Sequence, residues 1–369
     1  MVVNFFIDIL DRWSLNLLET LKRFPLASLS SFLVTLILIM LIEINYNPNH
    51  EIIIIIKKLA FVLSTGIFLF PVLHLLHRSI WFKLLGIVLL GGYFYILPSP
   101  LSNSDIVRHI LLIFALCFMF FWAPFLNTNI SNKNIWEWTM KILLILLATV
   151  ILSLTLYGSF ITLIFSLKEL FNIEVEPRRF MQFAVMVLGL FSVNFFLSQM
   201  PKYICLLQLK KYTQIGAVFT KYILTPITMV YMLILFAYIL RILIFQDWNK
   251  VTIDWMIISF SFLAIGTYMF WTPLVEKVNR RFRKLIWGST LSLSFILALS
   301  IYVRFLGGTS FESLYLISLF DVWLALISLY FLLFENASYK WLFFSISLSI
   351  GVSQSDYVID LIGSLKVYL

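Results

Sequence analysis

The chain has 369 residues, of which 62% are hydrophobic and 12% charged, and its mean hydropathy is +0.99. Soluble domains carry roughly 25% charged residues, so a soluble fold, a secreted catalytic domain and a nucleic-acid module are excluded. The net charge of +9 is better explained by membrane topology than by DNA.

From the amino terminus, apolar residues recur at helical spacing (Phe6, Ile9, Leu10, Trp13, Leu17, Leu21), with Asp8, Arg12, Glu19 and Lys22 on the other face. Residues 1–24 are therefore expected to form a cytoplasmic amphipathic helix lying in the membrane interface. Acidic residues within this stretch and the lack of a small-residue cleavage site argue against a signal peptide. Pro25 then opens the first long apolar run, where its missing N–H is harmless.

Eleven such runs follow, at 25–44, 58–77, 80–97, 108–126, 141–166, 180–200, 219–240, 254–271, 285–303, 314–334 and 341–352. Runs of this length without period-two alternation satisfy their backbone groups as helix, not as barrel strands. The expectation is an all-α, polytopic transmembrane helical bundle of about eleven spans over 25–352, followed by a short tail, 353–369. The last run is the shortest.

With the amino terminus inside, 17 of the 27 basic residues fall on the cytoplasmic side, as the positive-inside rule requires. Lys168, Arg178 and Arg179 are the main dissent. Most tryptophans lie near span ends, where their amphipathic rings suit the headgroup level; Trp323 sits inside a span. Cys117 and Cys205 have no disulfide or metal spacing and read as free thiols. Two segment pairs, 118–126 with 268–275 and 152–160 with 297–305, suggest either an internal repeat or chance similarity among aromatic-rich helices.

Phe24-Pro25, Ala123-Pro124-Phe125, the Asn-rich loop before Trp136, Met200-Pro201 and Lys221-Tyr222-Ile223-Leu224-Thr225-Pro226, with Trp248 behind it, resemble an uncharacterised bacterial family catalogued as domain of unknown function 4153. The similarity covers roughly residues 20–350 in consistent order. It implies a multi-pass protein of the bacterial cytoplasmic membrane with no assigned activity. The turn at Gly307-Gly308-Thr309 and the short carboxy terminus depart from the family pattern.

Asp321 is the main chemical candidate, about seven residues or roughly 10 Å inside its span. An acid in hydrocarbon is costly and usually faces a partner or a wet cavity. Arg304, Arg241 and Arg108 approach from the same side as candidate partners, and the alternative is a packed, protonated acid. His74 and His77 share one helix face but lack further local ligands, which makes them weak metal candidates. Arg280, Arg281, Arg283 and Lys284 form a basic cluster that sets topology or binds anionic headgroups. No HExxH, GxSxG or Walker pattern occurs, and no cofactor is implied. The leading functional reading is a non-catalytic membrane scaffold, sensor or accessory subunit. A transporter or channel for a small solute or lipid, with its polar site around Asp321, is the alternative, and an intramembrane enzyme ranks third. The expected partners are the lipid bilayer and a membrane protein or second copy, with no nucleic acid.

Overall fold

The computed structural model describes residues 17–44, 51–77, 79–126, 131–172, 175–201, 214–245, 250–274, 280–308 and 311–353. Residues 1–16 of the expected interfacial helix, His50, Cys205 and the tail beyond 353 lie outside this set; residues 17–23 are helical. The described residues are mostly helical, with no strand among them. The helices are α1 (Pro25–Glu43), α2 (Glu51–Leu76), α3 (Ile80–Ile96), α4 (Asn103–Trp122) and α5 (Asn132–Phe171). Next, α6 joins Pro177–Met186 to Val193–Gln199 through a π-helical turn, Val187–Ser192. In α7, Gln214–Val218 and Thr225–Phe245 flank a second π-helical turn, Phe219–Leu224. The series closes with α8 (Lys250–Trp271), α9 (Arg280–Leu306), α10 (Phe311–Leu333) and α11 (Tyr339–Val352).

Nine helices among the described residues are long and apolar enough to cross a bilayer, while Ile80–Ile96 and Tyr339–Val352 are shorter. Local chemistry sets many of their ends. Pro25 and Pro177 occupy the first turns of α1 and α6, where proline removes no needed donor. Ser102 and Asp105 form a reciprocal capping box on α4, and Ser79 and Ser338 cap α3 and α11. Asn172, at φ 52°, closes α5 in the left-handed region, as Gly308 at φ 81° closes α9.

The chain divides into two compact units: residues 1–127 with 138–204, and residues 128–137 with 205–369. The members of each repeat-like segment pair fall in different units.

In the first unit, α1 packs on α2 and α6, and α2 on α3 and α4. Helices α1 and α6 run antiparallel and are tied at both ends. Arg23, just before α1, donates to the carbonyls of Met200 (2.9 Å) and Pro201 (2.8 Å) beyond the end of α6. At the other end, Arg179 and Gln182 donate to the Glu43 carboxylate. Midway, Ser31 donates to the Gly189 carbonyl in the π turn at 2.5 Å. The approach there is so close that a Cβ on Gly189 would sit 2.0 Å from Thr35 Oγ1 and 3.2 Å from Thr35 Cβ.

The second unit is built on the α9–α10 hairpin, with α8 against α9, α7 against α8 and α11 against α10. Its aromatic centre stacks Trp287 on Phe331 at 4.3 Å with Tyr268 edge-on to both. Hydroxyl pairs cross the helix interfaces, Thr290 with Ser328 at 2.9 Å and Thr228 with Thr267 at 2.7 Å. Such small polar residues let membrane helices approach closely where no hydrophobic difference from lipid drives packing.

The contact at Gly189 yields a paired test. Gly189→Ala should destabilise the detergent-solubilised protein by about 1–3 kcal/mol, because Thr35 is stiff at χ1 and holds its hydroxyl on Ser31. Gly158→Ala in α5 meets nothing within 4 Å and should be neutral or stabilising by up to about 1 kcal/mol. Thermal unfolding of both variants reads the difference, and equal shifts would contradict the close approach.

Candidate functional site

Among the sequence candidates, Arg304 and Asp321 are both buried in the second unit, Arg304 in an ion pair with a further acid, Asp254, and Asp321 within electrostatic reach of that acid. Asp254, four residues into α8, is 1% exposed, while its neighbour Trp255 is 66% exposed. One residue thus faces the helix packing and the next faces outward. Ser300 and Arg304, one turn apart on α9, both address the Asp254 carboxylate: Ser300 donates to Oδ1 at 2.9 Å, and Arg304 forms an ion pair through Nη1 to Oδ2. Arg304 is itself buried.

Asp321 is also buried, and its Oδ1 is enclosed without a hydrogen-bond partner among the described residues. It lies within electrostatic reach of Asp254. The antiparallel register fixed by Thr290 and Ser328 places Asp321 level with Leu297, about 4.5 Å deeper along the helix axis than Ser300. Arg304 is seven residues, or about 10 Å, nearer the helix end. This offset explains why Arg304 meets Asp254 and not Asp321. Since α10 starts at Phe311, Asp321 lies about 15 Å into a helix of about 34 Å, deeper than the sequence run implied.

The other proposed partners are placed elsewhere. Arg241 is exposed on α7, and no ion pair among the described residues joins it to either acid. Arg108 belongs to the first unit and pairs with Asp105 at 3.7 Å.

The basic cluster before α9 divides by burial. Arg280 and Lys284 are exposed, as is Arg281, and Arg280 lies 3.5 Å from Glu335. Arg283 is 5% exposed, donating to the Phe334 carbonyl at 2.8 Å and pairing with Glu335 at 3.4 Å. It therefore caps the end of α10, while the other three basic residues of the cluster face outward.

His74 packs edge-on to Phe24. His77 accepts a hydrogen bond from the Ser79 N–H at 3.2 Å and stacks on Phe82. No group of three or more His, Cys, Asp or Glu side chains suited to a metal occurs among the described residues. His109 is buried in α4. Its Nε2 bonds Ser64 Oγ at 2.9 Å and its Nδ1 bonds Tyr93 OH at 3.0 Å. Both ring nitrogens are occupied, so this is a satisfied packing group. Comparisons with known family models, curated proteins and solved structures find no match.

The geometry defines a double-mutant cycle. Asp254→Asn and Arg304→Gln should each cost about 3–5 kcal/mol, because each strands a buried opposite charge. The double variant should cost less than their sum. Asp321→Asn combined with Arg304→Gln should show weaker coupling. Thermal stability in a single detergent measures all five variants, and additive Asp254 and Arg304 effects would contradict the ion pair.

Proposed function

We propose that this chain is a multi-pass protein of the bacterial cytoplasmic membrane in which the Asp254–Arg304–Asp321 cluster binds and releases a proton or small cation while the protein moves a small solute or lipid. Two carboxylates and one guanidinium leave a net formal charge of −1 in a site removed from water. One bound proton or monovalent cation balances it. The observation that carries this reading is the enclosed, unpartnered oxygen of Asp321 within electrostatic reach of an already paired acid, since ionisable groups within membrane helices commonly mark ion pathways. The proposal includes eleven spans, a cytoplasmic amino terminus and membership of the family resembled above. It rests on the apolar runs, the distribution of lysine and arginine, and the proline and tryptophan motifs.

The scaffold, sensor or accessory-subunit reading is favoured by a different observation. A cavity of about 430 Å³ beside α10 is bounded by Val322, Leu326, Trp341 and Leu348. Asp321 is not among its lining residues, so this cavity gives the cluster no polar route.

Infrared difference spectroscopy of the full chain in proteoliposomes separates the two readings. Raising pH or adding Na⁺ should diminish a protonated-carboxyl band in the wild type, and Asp321→Asn should remove that change. A band insensitive to both treatments would sink the proton or cation site and leave the scaffold reading. Topology is tested separately: a reporter fused after Arg283 should report cytoplasm, and one fused after Val175 the exterior. The same compartment for both would refute the eleven-span arrangement.

A further inference from the structure

The first unit contains a groove of about 760 Å³ between the 17–32 stretch and α6, with Leu156 of α5 also lining it. Leu21, Leu29 and Phe32 form one wall, and Phe183 and Leu190 form the other. Its volume falls within the range of about 300–1,000 Å³ typical of small-molecule sites. Along α6, from Asn194 to Phe183, the groove extends about 16 Å at helical rise. That is close to one leaflet's share, about 15 Å, of a hydrocarbon core about 30 Å thick.

Lys22 and Arg23 flank one end. Lys22 is exposed, while Arg23 binds the carbonyls at the end of α6, and basic residues at a span end belong at headgroup level. The groove therefore begins at the interface and runs inward along the chains of one leaflet. A transmembrane helix is too thick to occupy it: a cylinder about 10 Å across and 16 Å long takes up about 1,300 Å³. A single acyl chain is narrow enough.

Two polar side chains interrupt the apolar lining. Ser28 is 6% exposed, and its Oγ has no hydrogen-bond partner among the described residues; the same holds for the enclosed Oδ1 of Asn194. Asn194 uses its Nδ2 on the Leu190 carbonyl. Ser28 lies five residues beyond Arg23, and Asn194 six residues before Met200, the residue that Arg23 holds. Both are thus about 8–9 Å inward from the Arg23 end, at the depth where a glycerolipid passes from ester to chain.

We propose that this groove holds one acyl chain of a bilayer phospholipid, with the Ser28 hydroxyl rotating to donate to the lipid's ester carbonyl. The apolar walls exchange bare surface for chain contacts, and the ester supplies the acceptor that Ser28 lacks. This site is independent of the Asp321 cluster.

The test reconstitutes the full chain in dioleoylphosphatidylcholine vesicles, extracts it into detergent, washes it extensively and counts retained phospholipid per chain by mass spectrometry. The wild type should retain about one. Leu29→Trp fills the groove from an exposed position and should cut retention at least fivefold, whereas Leu147→Trp, exposed on α5 outside the groove, should not. Ser28→Ala should lose lipid about fivefold faster, the equivalent of one neutral hydrogen bond. No retention by the wild type, or equal retention by all four proteins, would overturn the proposal. If Leu29→Trp fails to fold, a photocrosslinking residue at Phe32 in whole membranes decides: a lipid adduct supports the site, and a polypeptide adduct or no adduct rejects it.

Discussion

Arg304 and Asp254 meet with both side chains buried between helices, and the way the second unit packs follows from keeping them together. A charge left alone in hydrocarbon costs at least about 2.5–3.5 kcal/mol on insertion scales, and breaking a buried pair costs more than making it gains. The pair therefore restricts the ways in which α8 can rotate against α9. Ser300, one turn from Arg304, occupies the second carboxylate oxygen, so the contact has direction as well as charge. With α8 and α9 fixed in this way and α9 tied to α10 by Thr290 and Ser328, Asp321 is brought close to an acid whose charge is already matched. The cluster's unbalanced charge is thus a consequence of helix register.

The first unit solves its packing with polar ties at the ends of α1 and α6 and a near-contact in the middle. The π turn over Val187–Ser192 presents the Gly189 carbonyl to Ser31, and glycine is required because Thr35 occupies the space a side chain would take. π-Helical turns inside α-helices often coincide with functional sites, and Val187, Leu190 and Phe191 of this one line the proposed lipid groove. One local irregularity thus positions a helix and shapes a surface open to lipid.

Much of this architecture is legible in the amino-acid sequence because hydrocarbon imposes a length and a polarity on each helix. The apolar runs become helices, and the two that fall short, at 80–96 and 339–352, include the run already marked as the shortest. Asp321 stands out as an acid within such a run. Its surroundings do not, because partner choice depends on rotation and register between helices distant in sequence. Asp254 lies at a run boundary, where acids usually meet water, and tryptophan beside it suits the headgroup level. One helical position, about 100° of rotation, separates a headgroup-facing residue from a buried one. Arg283 was hidden in a basic cluster for the same reason: its neighbours face outward while it reaches the Phe334 carbonyl. The surroundings of His109 are likewise invisible in the sequence, because its partners, Ser64 and Tyr93, come from two other helices.

The account stands on the depth of the Asp321 cluster. A spin label at Val322, which is 57% exposed beside Asp321, measures that depth directly in reconstituted bilayers through its relative accessibility to oxygen and to a water-soluble nickel complex. High oxygen and low nickel accessibility is the expected result. Strong nickel accessibility would place this level of α10 in water and remove the physical basis for a buried, charge-unbalanced site.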